Sequence, residues 1–133
     1  MPAVTRWFIK TSLAYLAVSL ALAVWLAAGS APAGLSQVFF HFFLVGWVTQ
    51  MIIGVAYWFF PKYSADQPRR SETLGWVVFW LLNAGLLLRG LAEPLLAQQP
   101  DALWSPALVA SAFLQWLAGL LFVLNTWGRV KER

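Results

Sequence analysis

A single histidine, His41, stands in a chain with no cysteine and only five acidic residues. Imidazole ligates metals and heme iron through a ring nitrogen. If a side chain of this protein binds either, His41 is the candidate. It opens the run HFFLVGWVTQ, and Phe39, Phe40, Phe42 and Phe43 surround it, a setting that suits a neutral ring. Ionisable groups inside a membrane are costly and usually functional. The competing reading is a histidine solvated at the outer interface, or hydrogen-bonded to a neighbouring helix. One histidine cannot close a metal site alone, so a functional His41 requires partners.

Arg89 is the second unusual residue, because it lies within an apolar run. A buried guanidinium needs an anion or several acceptors. Glu93, four residues on, is one such partner. A heme propionate is another, since the guanidinium fork matches a carboxylate. Snorkelling to the outer interface is the plain alternative. Gly46 and Gly54, eight residues apart, share roughly one helix face. Small residues there admit either another helix or a planar macrocycle. Trp47, Trp76 and Trp80 lie far enough in to pack in the core or against a flat ligand. Thr49, Gln50, Asn83, Gln115 and Asn125 read as interhelical hydrogen-bonding residues. No nucleophile–base pair, carboxylate pair or phosphate-binding loop is visible. The lack of cysteine excludes disulfides, iron–sulfur ligation and thiolate zinc.

The elements that must position these residues follow from composition. Of 133 residues, 61% are hydrophobic and 11% charged, against about 25% charged in an average soluble domain. Four apolar runs, at about 11–28, 38–60, 74–95 and 107–127, each approach the roughly 20 residues that cross a bilayer. The first is long for a signal-peptide core and is read as a helix. Gly, Pro and polar residues separate the runs. Every basic residue except Arg89 falls at one side of this arrangement. The positive-inside rule then predicts an all-α, integral membrane, up-down four-helix bundle with both termini cytoplasmic. That orientation puts His41 and Arg89 at a similar depth near the outer face. Trp7, Trp25, Trp58, Trp104 and Trp127 fall near predicted helix ends, as interfacial anchors do. The basic residues form no stripe or patch, so no nucleic-acid partner is expected.

The stretch HFFLVGWVTQMIIGVAYWFFP, His41 to Pro61, resembles the second transmembrane helix of heme-copper oxidase and nitric-oxide reductase catalytic subunits. The matching positions are His41, Gly54, Tyr57, Trp58 and Pro61. NAGLLLRGLAEP, Asn83 to Pro94, looks like small four-helix membrane proteins grouped with that superfamily. The resemblance implies heme b with His41 as axial ligand; the residues themselves would put Arg89 on a propionate and Gly46 and Trp47 against the macrocycle. It also implies the inner (cytoplasmic) membrane of a prokaryotic-type cell. The chain corresponds to one four-helix unit of three in those subunits. It lacks the histidines for copper and for the oxygen-reducing heme, so no oxidase site is implied in the single chain. A six-coordinate heme with two histidines would need two copies of His41. Ligand counting thus favours a homodimer, while the family's threefold layout favours a trimer.

The expected function is therefore a heme-b membrane protein for electron transfer, with a redox partner, or for binding a diatomic gas. It is not expected to be an enzyme on its own. The alternative is a non-enzymatic structural or assembly subunit of a respiratory or transport complex, docking through Gly46 and Gly54. A small transporter or channel is a third class, with a thin polar pathway of one arginine and one histidine.

Overall fold

The computed structural model describes residues 1–100 and 104–130, and Asp101, Lys131 and Arg133 lie outside them. Four helices are long and apolar enough to cross a membrane: α1 (Ala3–Ala27), α2 (Leu35–Phe59), α3 (Glu72–Gln98) and α4 (Trp104–Thr126). No strand occurs among the described residues. The sequence pattern located all four but drew α1 and α3 short. Hydropathy marks the apolar part of a helix, whereas the backbone coils on through polar ends. Arg6 and Lys10 accordingly lie inside α1.

The ends have local causes. Ser71 caps α3, its hydroxyl accepting from Leu74 N–H at 3.1 Å. Phe60 precedes Pro61 and turns extended, with ψ 143°, which stops α2. Pro94 sits inside α3, which runs on to Gln98. A turn of 3-10 helix, Trp127–Arg129, follows α4. Within α2, residues Phe42–Thr49 form a π-helix between α-helical ends. Thr49 Oγ1 donates to Leu44 O, five residues back, at 2.9 Å.

The helices pair as neighbours in sequence, α1 with α2 and α3 with α4, and α3 also packs against both members of the first pair. Lipid tails give no hydrophobic reason for helices to associate, so close van der Waals fit has to do it. Phe8 is fully buried and meets Phe79 edge-on at 5.2 Å and Tyr57 at 5.8 Å. Tyr57 in turn meets Phe122 of α4 at 5.4 Å. Gly85 of α3 lies against Ser111, Leu114 and Gln115 of α4. Gln50 Nε2 reaches Asn83 Oδ1 across α2 and α3 at 3.4 Å, a long bond between buried amides. Large apolar side chains such as Val24, Ile52, Leu91, Val109 and Phe113 point outward. Of the tryptophans expected as interfacial anchors, Trp7, Trp25, Trp58 and Trp127 are exposed and Trp104 is half-buried.

Two loop glycines take positive φ, Gly29 at 76° and Gly34 at 86°. A Cβ on Gly34 would lie 2.7 Å from Glu93 O and 2.9 Å from Pro94 Cα, both backbone, whereas Gly29 has open space. Gly29→Ala should cost about 1 kcal/mol of backbone strain. Gly34→Ala should cost about 1–3 kcal/mol more, because backbone cannot move aside. Thermal unfolding in detergent checks this. Equal shifts for the two variants would show that the first loop does not rest on α3.

Candidate functional site

His41 closes the first α-helical part of α2, immediately before the π-helical turns. Its Nδ1 lies 2.9 Å from Gln37 O, one turn back in the same helix. A carbonyl only accepts, so Nδ1 carries the proton. In the neutral ring Nε2 then keeps its lone pair. A backbone carbonyl on one ring nitrogen is how ligating histidines are commonly held. The ring is half-buried, with Phe40 and Leu44 exposed nearby.

Phe42, the next residue, turns inward instead. It meets Tyr15 at 5.0 Å, and its ring tip lies where a Cβ on Gly90 would be. That contact brings the level of His41 to the level of Arg89, as the sequence predicts. Arg89 is already engaged: its Nε donates to Glu93 Oε1 at 2.9 Å, with the two side chains 18% and 11% exposed. The guanidinium thus has a carboxylate on its own helix, one turn away, in a setting drier than a surface pair.

Gly46 and Trp47 do not join His41 in a pocket. The space over Gly46 is filled by the ring of Tyr15, whose Cγ would be 2.6 Å from an added Cβ. Gly54 likewise takes Phe8 and Ile9. The small face of α2 therefore seats α1, the first of the two occupants that the sequence leaves open there. Trp47 packs at 4.8 Å on Phe43 and against the core. Trp76 and Trp80 line a crevice of about 600 Å³ between α1 and α3, and His41, Gly46, Trp47 and Arg89 are not among its walls. No group of three or more His, Cys, Asp or Glu side chains suited to a metal ion occurs among the described residues. Of the residues expected to bond between helices, Gln50 and Asn83 do so with each other and Asn125 donates to Ser71 O at 3.1 Å, whereas Gln115 bonds Ser111 at 3.2 Å and Thr49 bonds Leu44 O within their own helices.

One residue is unforeseen. Arg129 reads in sequence as part of a basic tail, yet it is only 2% exposed. Its Nε donates to Pro61 O at 3.0 Å, and its Nη2 donates to Tyr57 O at 3.1 Å and Phe60 O at 2.7 Å. Those are carbonyls at the C-terminal end of α2, where orphan acceptors and the negative end of the helix dipole favour a cation. Nearby, Arg70 takes φ 61° and donates to Leu124 O at 2.5 Å, with its guanidinium 5.5 Å over the Tyr63 ring. The sequence held a clue. The run YWFFP ends α2 with no side chain of its own to answer those carbonyls.

Arg129→Met should cost about 1.5–3 kcal/mol, the value of hydrogen bonds from a charged donor. Arg129→Lys should recover only part, since an ammonium lacks the planar fork. The thermal midpoint of the detergent-solubilised protein measures both, and a midpoint unmoved by Arg129→Met would refute the capping role. Comparison of the chain with protein-family models, with curated proteins and with solved structures returns no match in any of the three.

Proposed function

We propose that this integral membrane protein binds heme b through His41, for electron transfer or for binding a diatomic gas. The observation that carries this reading is the Nδ1–H···O=C bond to Gln37, which leaves Nε2 with a free lone pair. His41 is also absent from the walls of the crevice between α1 and α3. A second axial histidine would come from another copy of the chain, which makes a homodimer the simplest assembly. Heme held there would supply a one-electron couple or a site for a diatomic gas. Arg89 would hold a propionate through its Nη groups while Nε stays on Glu93. Tyr15 covers Gly46, and Trp47 packs on Phe43.

In this reading the helices run up and down, with both termini on the cytoplasmic side of a prokaryotic-type inner membrane. Supporting it, Arg6, Lys10, Lys62, Arg69, Arg70 and Arg129 gather toward one end, where Val4 nears Gly75 and Asn125 bonds Ser71. In the alternative of an assembly subunit, docking would use other apolar faces than Gly46 and Gly54, since α1 covers both. The resemblance to one four-helix unit of the heme-copper oxidases rests on the His41 to Pro61 and Asn83 to Pro94 stretches alone.

The test is the absorption spectrum of detergent-purified protein made with ample heme. A Soret band is expected, with one heme per two chains if His41 residues pair, and His41→Ala should abolish it. A colourless preparation, or a Soret band unchanged in His41→Ala, sinks the proposal.

A further inference from the structure

The crevice between α1 and α3 is separate from His41 and has its own logic. Its walls are Trp7, Ala14 and Val18 on one side and Trp76, Trp80 and Leu87 on the other, with Phe42 also lining it. Trp7 to Val18 is eleven residues, as is Trp76 to Leu87, so each wall is about 16 Å long at 1.5 Å per residue. That is half of the roughly 30 Å hydrocarbon core. The crevice therefore runs from the helix ends that carry Trp7 and Trp76 to about mid-membrane.

The lining is almost wholly apolar. Asn83, its most polar wall residue, has its amide engaged: Nδ2 donates to Phe79 O at 2.8 Å and Oδ1 faces Gln50. Nothing inside invites a polar ligand or offers a histidine to iron. Dividing about 600 Å³ by that length leaves a cross-section of roughly 40 Å², a long narrow slot that extended hydrocarbon chains fill from end to end. At the mouth, Arg6 and Lys10 are exposed beside Trp7, while Glu72 is paired with Arg69 at 2.6 Å. The free charge at that end is positive.

We propose that this crevice binds the acyl chains of one anionic glycerophospholipid, its phosphate level with Arg6 and Lys10. Tail length is matched by the half-bilayer span, and headgroup sign by the two cations. Trp7 and Trp76 flank the entry at the depth where indole rings settle between headgroups and hydrocarbon.

Native mass spectrometry of the full chain tests it. The detergent-solubilised protein is incubated with equal phosphatidylglycerol and phosphatidylcholine of identical chains. One phosphatidylglycerol should remain per chain. Ala14→Trp fills the slot from its middle and Val18→Trp from its deep end, and either should remove the lipid while helicity is kept. Two variants guard against one failing to fold. Arg6→Gln with Lys10→Gln should erase the preference for phosphatidylglycerol and leave the tails bound. His41→Ala should retain the lipid, so failure of the heme reading and failure of this one are told apart. No retained lipid, a preference for phosphatidylcholine, or full retention in both tryptophan variants overturns the proposal. Loss of an oligomer in those variants also overturns it, in favour of a second copy in the crevice.

Discussion

Arg129 is buried over the end of α2, so the carbonyls beneath it are met by the protein itself and not by water. Arg129 meets three of them from the far end of the chain. Without that, α4 would be held mainly by α3, its principal neighbour. The guanidinium adds the link to α2, and Asn125 on Ser71 and Arg70 on Leu124 O tie the end of α4 to the start of α3. Such polar ties at the ends add to the van der Waals fit that holds the helices together.

Apolar run lengths made the four helices legible, because crossing hydrocarbon demands about 20 residues of one character. The helix ends were not legible to the same degree. Ser71 capping and the Phe60–Pro61 stop are local and readable, but α1 begins at Ala3, ahead of its apolar run, since Arg6 and Lys10 are tolerated near an end. The Arg89–Glu93 pair follows from four-residue spacing alone. Arg129 could not be placed, because what distinguishes it from a solvated tail residue is the acceptor-rich end of α2, nearly seventy positions earlier in the chain. Gly46 was rightly singled out as a point of close approach. Its occupant, Tyr15, depends on the register of α1 against α2, which periodicity does not encode.

His41 and the crevice divide the membrane face of the protein into two different surfaces. The crevice is built from tryptophan and aliphatic walls with its one amide engaged, so it selects by length and apolar character. His41 presents the opposite case: one ring nitrogen fixed by Gln37, the other available, and no second histidine in the sequence. A ligand for that nitrogen therefore implicates another molecule, whether a cofactor held between copies or a neighbour's side chain. The two surfaces meet only through adjacent residues, His41 turned away from the crevice and Phe42 into it.

The π-helical turns explain how α2 serves both. Gly46 meets Tyr15 and Gly54 meets Phe8, so eight residues of α2 run alongside seven of α1. An α-helix packed evenly on another would fall out of register by that one residue. A π turn holds one residue more than an α turn and absorbs the surplus. The wide segment, Phe42–Thr49, contains Gly46 and starts directly after His41. The register that lets Tyr15 and Phe8 both find a glycine is thus adjusted at 46–49, the part of the wide segment between the two glycines. The hydrogen bond of His41 to Gln37 lies in the regular α-helical turn before the adjustment, and is unaffected by it.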